Sequence, residues 1–299
     1  MSNVRTHIWF GIPGVKMQWC PAPLAGAQAS NINFVESMSF ENGGADVSRS
    51  KQYRKQYAFS FTGLSEELDG IGVYNKYASG FYGDGLFQFA DPYAFETNLF
   101  SVGWASPGLI EQGWENIYDV LPTFSATSTN SYNQPVRKAT WSVTGSANAV
   151  PTKANSVAII PIPPTHTLNI GVSGAKTGTA VVRVVPINTD NTLGTAVDLT
   201  LLTDTSSTRM NATFAGSSYQ AVKVYITRTS TTASTITVTS MMARLVETGR
   251  SLTLTGDHAP GEGHTGLEFA DDARVETYTY MYPPRKGLST TLVEVGAWR

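Results

Sequence analysis

The chain is short of the residues that build metal and catalytic centres. Its 299 residues contain four histidines and a single cysteine, Cys20, and only 15% of them are charged. One cysteine excludes a disulfide within the chain and a cysteine-based zinc site. The net charge of −2 provides no broad attraction to nucleic acid. The composition therefore disfavours disulfide-rich, zinc-finger and sequence-specific nucleic-acid-binding proteins.

Long apolar runs are also missing. No stretch reaches the run of about 18 apolar residues that a membrane-spanning helix needs, so we expect no membrane span. The opening MSNVRTHIWFGIPG has no continuous apolar core and no small-residue cleavage site. We therefore expect no signal peptide and synthesis in a cytoplasm.

Threonine, serine, glycine and asparagine take the place of charge, and the middle of the chain alternates apolar and polar residues. THTLNIGVSG, TAVVRVVPIN, AVDLTLLTD, YQAVKVYITRTS and STITVTSMMARL are rich in β-branched residues. Turn residues separate them at roughly ten-residue intervals, which is typical of a β-sandwich or jelly roll. The predicted inner face comprises Leu168, Ile170, Val182, Val184, Val197, Leu199, Leu201, Val222, Val224, Ile226, Ile236 and Val238.

Changes in composition divide the chain into three parts. We predict an N-terminal β-domain over residues 1–138, a β-sandwich domain over residues 139–270, and C-terminal strands over residues 271–299. The last part carries one clear strand, GLSTTLVEVGAW, which we expect to return to the first domain. The sandwich would then be an insertion.

Local signals in the first part predict strands with a little helix. Gly83, Asp84 and Gly85 lie between two short apolar runs, which predicts a hairpin. Asp91 followed by Pro92 predicts the start of a helix. A second short helix is predicted to begin at Ser65, because acidic residues follow it in the first turn.

One cluster could hold a metal ion. Asp257, His258, Glu262 and His264 lie close together in DHAPGEGHTG, but their spacing matches neither a zinc helix nor an EF-hand. The glycines and proline of this segment predict a turning loop, in which a histidine satisfies a backbone carbonyl. No nucleophile elbow, phosphate-binding loop or convergent carboxylate pair is evident. We predict no catalytic residue, no metal and no cofactor.

Aromatic residues near basic or turn residues are the candidates for self-association. Trp9, Phe10 and Trp19 lie beside Pro and Gly, which suits either a core or a subunit interface. Tyr53 and Tyr57 alternate with the only local basic cluster. That cluster predicts a solvated strand face or a subunit contact, with an RNA- or DNA-contacting strip as the alternative, and consists of Arg49, Lys51, Arg54 and Lys55.

The few aromatic residues of the middle part are candidates for sugar contact. Exposed rings offer flat apolar faces to sugars, and Trp141, Tyr219 and Tyr225 are the residues available for this. The alternative is that they pack in the core or in an interface.

Several segments together resemble the minor tail proteins of long-tailed phages infecting actinobacteria, specifically the distal tail type. The resemblance covers both ends of the chain, and the joint order of the segments is more specific than any one of them. The matching segments are HIWFGIPG, FENGGADVSRSKQYRKQYAFSF, YGDGLFQFADPYAFETNLF, SVGWASPG, GEGHTGLEF and LSTTLVEVGAW.

The resemblance implies a fold and a role. It implies a tail-tube-like β-domain with a short flanking helix, together with a galectin-like or carbohydrate-binding-module-like sandwich. It also implies a hexameric ring in the virion that joins the tail tube to the baseplate and docks other tail-tube and tail-tip proteins. The chain departs from the family pattern in one respect. GEGHTGLEF and LSTTLVEVGAW follow the sandwich, so the two domains are not simply arranged one after the other along the sequence.

The expected function is thus that of a structural phage tail protein without enzymatic activity. The alternative is a carbohydrate-binding module of the host-recognition apparatus, which would hold a host cell-wall glycan. A secreted glycan hydrolase is the weakest hypothesis, because the sequence shows neither a signal peptide nor an acid–base pair.

Overall fold

The computed structural model describes residues 7–22, 28–32, 35–39, 45–49, 54–64, 71–91, 98–106, 123–125, 128–129, 135–136, 138–151, 157–202, 211–250, 261, 263–270, 274–278 and 285–295. The chain forms two compact units, each built from separate stretches. The sandwich unit comprises residues 1–20, 82–266 and 296–299, and the sheet–helix unit comprises residues 21–81 and 267–295. The described residues form many strands and two short helices, which confirms the mainly-β prediction.

Two antiparallel sheets form the body of the sandwich unit. The five-stranded sheet has the order β16 (Ala212–Ala215), β13 (His166–Thr177), β18 (Ser234–Glu247), β11 (Ala139–Val143) and β8 (Thr123–Phe124). The four-stranded sheet has the order β12 (Val157–Pro161), β17 (Tyr219–Arg228), β14 (Ala180–Asn188) and β15 (Val197–Leu199). Their apolar side chains form one shared core, as in a β-sandwich.

The predicted inner face of the sandwich is confirmed at most positions. Because strand side chains alternate between faces, one buried face leaves a period of two in the sequence. Val182, Val222 and Ile236, for example, are completely buried. Val197 is the exception, with 39% of its surface exposed, because it begins β15 at the edge of its sheet. Leu201 is only partly buried against the core.

A smaller sheet also belongs to the sandwich unit. Its spatial order is β2 (Lys16–Pro21), β1 (His7–Ile12) and β7 (Gln88–Ala90). A tight turn joins β1 to β2, in which the Val15 amide donates to the Ile12 carbonyl at 3.1 Å and Gly14 has φ of 84°. The unit also contains the short strands β9 (Ser128–Thr129) and β10 (Pro135–Val136), which pair with each other, and helix α2 (Val102–Ala105).

The described residues of the sheet–helix unit form one larger sheet, a separate hairpin and one helix. The sheet has the order β19 (Leu267–Phe269), β21 (Arg285–Glu294), β6 (Arg54–Leu64) and β3 (Gln28–Ile32), and β20 (Arg274–Tyr278) also pairs with β21. Helix α1 (Ile71–Ala78) packs on it through Tyr74, whose ring centroid lies 4.9 Å from that of Phe61. A separate hairpin consists of β4 (Val35–Ser39) and β5 (Ala45–Arg49).

The two units divide the chain differently from the predicted domains 1–138, 139–270 and 271–299. Strand β1 pairs with β7 in the sandwich unit, so residues 7–20 do not group with residues 28–64. Strand β21 pairs with β6 from Lys286 opposite Leu64 to Val293 opposite Gln56. Residues 285–295 therefore complete a sheet whose neighbouring strand lies far earlier in the sequence.

The predicted hairpin around Gly83 and Gly85 is wrong. The apolar residues before this turn follow helix α1 and do not form a strand, because the Phe81 amide donates to the Lys76 carbonyl at 3.0 Å and Gly80 has φ of 69°. These are the features of a helix C-terminus. The predicted helix starts at Ser65 and at Pro92 lie outside the described residues, whereas Asp91 is described and exposed.

Candidate binding site

A small pocket opens beside the turn between β1 and β2. Its volume is about 130 Å³. The residues that line it come from the β1–β2 hairpin, from the turn after β14 and from the start of β17: Trp9, Val15, Lys16, Met17, Thr189, Asn191 and Gln220. We call it the Trp9 pocket. Trp9 and Met17 are each 8% exposed, whereas Val15, Lys16, Thr189 and Asn191 are exposed around its rim.

Gln220 is the buried polar side chain of this pocket. It is 4% exposed, and its Nε2 donates one hydrogen bond to the Asn188 carbonyl and another to Asn191 Oδ1, both at 2.7 Å. Because the Asn188 carbonyl can only accept, these contacts fix the orientation of the glutamine amide. The backbone carbonyl of Gln220 accepts from Trp9 Nε1 at 3.2 Å. Gln220 therefore ties the hairpin and the turn to the same strand.

The turn after β14 is held by its own side chains. Asn191 has φ of 70°, in the left-handed region that asparagine tolerates better than most residues. Asp190 Oδ1 accepts from the Thr192 hydroxyl at 2.6 Å and from the Thr192 amide at 3.0 Å. These hydrogen bonds, the hydroxyl first, lower the pKa of Asp190. The turn thus presents Asn191 to the pocket in a defined backbone conformation.

The structure places the candidates for self-association mainly in the interior. Phe10 is completely buried and stacks on Phe87 at 5.6 Å, and Tyr57 is 4% exposed in the sheet–helix unit. Trp19 is half-buried and meets Trp9 edge to face at 5.4 Å. Trp9, Phe10 and Trp19 therefore share the β1–β2 region. Tyr53 lies outside the described residues.

The candidates for sugar contact form no exposed platform. Trp141 is completely buried in the sandwich core, whereas Tyr225 is 3% exposed and lies on the face of β17 opposite the core residues Val224 and Ile226. Tyr219 is half-buried and lies edge to face with Phe214 at 6.0 Å. The interior position of Trp141 follows from the strand pattern, since along β11 it lies between half-buried Thr140 and exposed Ser142.

Only one residue of the predicted metal-loop cluster can be placed. Asp257, His258 and Glu262 lie outside the described residues, while His264 is 9% exposed and stacks on Phe89 at 4.9 Å. Its Nε2 accepts from the Phe89 amide at 3.5 Å. In the described part of the chain, no three metal-ligating side chains come together.

The loop beside His264 packs tightly on the backbone. A Cβ atom at Gly263 would lie 1.7 Å from the Leu99 carbonyl oxygen, so only glycine fits there. The neighbouring Asn98 is completely buried and serves three backbone groups. Its Nδ2 donates to the Met241 carbonyl at 2.8 Å, and its Oδ1 accepts from the amides of Ala243 at 3.1 Å and Phe100 at 3.2 Å.

Cys20 has no reactive character in this setting. Its side chain is completely buried, and burial raises the pKa of the thiol. A thiol held in its neutral form is a poor nucleophile and a poor metal ligand.

Sequence reasoning missed Gln220 and Asn191. The run of turn-forming residues at Asn188–Thr192 predicts a tight turn, but the partner of that turn is Gln220, and Trp9 reaches Gln220 across a separation of 211 residues. No local pattern in the sequence signals such a meeting.

Comparisons with known proteins identify no family and give only distant structural neighbours. No protein-family model and no curated protein matches the chain. One similar solved structure is the N-terminal CBM22-1–CBM22-2 tandem domain of Paenibacillus barcinonensis Xyn10C, with 11% identity and a TM-score of 0.22. The alignment covers 58% of this chain and 55% of that one, so the chain spans about half of the length of this neighbour.

A second similar structure is the VP2 subviral particle of infectious bursal disease virus, with 13% identity and a TM-score of 0.25. The alignment covers 99% of this chain and 78% of that one. Both TM-scores are too low to carry an argument about function. Among the described residues, no helix has the length and hydropathy to cross a bilayer.

Proposed function

We propose that this protein is a structural virion component of a phage tail tip, which assembles into a ring and joins the tail tube to the baseplate. The support is that segments which carry the resemblance to distal tail proteins pair with one another. FENGGADVSRSKQYRKQYAFSF contains most of β6, and LSTTLVEVGAW contains most of β21. These strands are direct partners, with Leu288 opposite Phe61 and Leu292 opposite Tyr57.

The sandwich unit contains a second meeting of such segments. HIWFGIPG supplies β1 and YGDGLFQFADPYAFETNLF supplies β7, and the two strands pair with Phe10 opposite Phe89. GEGHTGLEF reaches the same place, because Gln88 Nε2 donates to the Thr265 carbonyl at 3.1 Å and His264 stacks on Phe89. A resemblance whose parts lie together in space is more specific than the same parts scattered over a chain.

The sheet–helix unit is our candidate for the ring-forming part. Phe81 follows helix α1, and 70% of its surface is exposed. Its ring has Lys76 Nζ 5.7 Å from its centroid, so it lies beside the helix that covers the sheet. An exposed aromatic residue of this kind is a typical anchor of a subunit contact.

The assembly state of the full chain tests the proposal. We expect light scattering to show an oligomer and negative-stain micrographs to show six-fold rings. Phe81→Ser should weaken the oligomer, whereas Val150→Ser, which changes a 56% exposed residue of the sandwich unit, should leave it unchanged. Antibodies raised against the chain should label the tail tip of the virion that encodes it. A protein that stays monomeric at high concentration, or labelling of the head, would overturn the proposal.

A further inference from the structure

We propose that the Trp9 pocket binds a single sugar residue of a glycan. The inference rests on the pocket alone and does not depend on ring assembly. The site differs from the residues that the sequence nominated for sugar contact, because Trp141 and Tyr225 are buried elsewhere in the unit.

The size of the pocket limits the ligand to one small group. Its volume of about 130 Å³ lies well below the range of roughly 300–1,000 Å³ that is usual for drug-sized ligands. An extended cofactor or a nucleotide does not fit. One sugar ring, partly inserted and otherwise exposed at the rim, matches both the volume and the open mouth.

The polar groups of the pocket match hydroxyl groups. Both hydrogens of Gln220 Nε2 are engaged by Asn188 and Asn191, so the glutamine offers the pocket only its acceptor, Oε1. Asn191 Oδ1 accepts from Gln220, which leaves its Nδ2 as a donor at the rim, beside the hydroxyl of Thr189. A sugar hydroxyl both donates and accepts, so adjacent hydroxyls can satisfy Oε1 and Nδ2 together.

The remaining lining matches the apolar side of a sugar ring. Trp9 and Met17 supply the buried apolar surface, and Val15 continues it at the rim. The described lining contains one cation, Lys16, and no carboxylate, which disfavours a cationic ligand. A pyranose combines a C–H face with a rim of hydroxyls, and this is the combination that the pocket offers.

Nuclear magnetic resonance on the full chain provides the test. The probes are the methyl glycosides of glucose, galactose, mannose and N-acetylglucosamine, each at millimolar concentration. The open-chain polyol sorbitol is the matched control, since it carries hydroxyls without a ring face. We expect at least one glycoside to shift the indole N–H signal of Trp9, which is identified by its loss in Trp9→Phe, and we expect sorbitol to leave it unchanged.

A pair of asparagine variants locates the binding. Asn191→Gly removes the amide but keeps a residue suited to φ of 70°, and should weaken binding about tenfold. Asn148→Gly makes the same change at the other described asparagine with positive φ, 56°, outside the pocket lining, and should leave the affinity unchanged.

Three results would overturn the proposal. They are the absence of any shift with all four glycosides, equal shifts with sorbitol, and equal weakening by the two asparagine variants. Light scattering on the same samples reports ring assembly separately. A protein that binds sugar as a monomer would therefore keep this inference while removing the proposed function, and a ring that binds no sugar would do the reverse.

Discussion

The two units reach a buried interior with different side chains. The sandwich core consists mainly of Val, Ile, Leu and Ala from two facing sheets, with few rings such as Trp141 and Phe214. In the sheet–helix unit, the described interior is largely aromatic, and its buried rings are Tyr57, Phe59, Phe61, Tyr74 and Tyr77.

The difference follows from how many strands and helices contribute side chains to each interior. Two sheets of alternating strands interdigitate many small β-branched side chains across one interface. In the described part of the sheet–helix unit, one main sheet is covered by a helix of 8 residues, which provides fewer positions, so each must bury more area. Aromatic side chains do so, since each buries about 150–250 Å². The sandwich unit therefore buries apolar area with many small side chains, and the sheet–helix unit buries it with fewer, larger side chains.

The largest expected effect comes from removing a ring from the aliphatic core. Trp141→Ala should lower the free energy of unfolding by about 3–5 kcal/mol, because a completely buried ring leaves a cavity that its neighbours cannot fill. Chemical denaturation measures this. Val150→Ala, at a position that is 56% exposed, is the control and should stay within about 0.5 kcal/mol. A small loss for Trp141→Ala would mean that the sandwich is loosely packed.

Asn98 tests whether packing alone holds the sandwich unit together. Asn98→Ala leaves the Met241 carbonyl and the Phe100 and Ala243 amides without this partner, so we expect a loss of about 3 kcal/mol. Asn98→Asp retains the acceptor but not the donor, and should also destabilise. The control is Asn169→Ala, which removes a half-buried acceptor of the Thr213 hydroxyl and should cost less than about 1 kcal/mol. Equal losses of stability for Asn98→Ala and Asn169→Ala would show that the buried hydrogen bonds of Asn98 contribute no more than an ordinary half-buried contact.

A pair of double-mutant cycles compares the two interiors directly. Phe61 and Tyr74 have ring centroids 4.9 Å apart, and their coupling energy should be about 1 kcal/mol. Val184 and Val224 are paired across β14 and β17, and substitution by Ala should show a smaller coupling of about 0.3 kcal/mol. Denaturation of the single and double variants provides both values. A larger coupling energy for the valine pair than for the aromatic pair would contradict this comparison of the two interiors.

The smallest effect concerns the turn beside the Trp9 pocket. Hydrogen bonds from Thr192 lower the pKa of Asp190 in the folded protein, so Thr192→Val should raise it, as measured by titration of the carboxyl signal. A lowered folded pKa means that the carboxylate stabilises the fold above its unfolded pKa, and this contribution is lost as the pH falls through the folded pKa. Because Asp190 is fully exposed to solvent, we expect both the change in its pKa and the linked change in stability to be small. An unchanged pKa would contradict the hydrogen bonds.

The sequence predicts the sandwich better than the rest because burial of one strand face imposes a local period of two. That period identified Leu168, Val182 and Ile236 correctly as core residues. The hairpin predicted around Gly83 was wrong, because glycine is favoured at a helix C-terminus as well as in a hairpin turn. For Trp9, Phe10 and Trp19 the sequence left a core and an interface open, since aromatic residues beside Gly and Pro occur in both, and Phe10 is completely buried.

The Trp9 pocket could not be predicted, because its chemistry depends on contacts between distant segments. Thr189 lies in the turn after β14 and Gln220 lies on β17, and both approach Trp9 only when β1 is in place. The orientation of Gln220 depends on the carbonyl of Asn188 and the side chain of Asn191. Neither the depth of a pocket nor the orientation of a side-chain amide produces a repeating pattern of residue types in a sequence.

The pairing of β6 with β21 imposes an order on biosynthesis. A ribosome makes β6 first, then residues 82–266 of the sandwich unit, and only afterwards β21. Until β21 emerges, Tyr57, Phe59 and Phe61 belong to a nascent strand without its central neighbour. Such exposed aromatic strands are where chaperones bind and where aggregation begins. The sheet of the sheet–helix unit therefore cannot be completed until β21 has been translated.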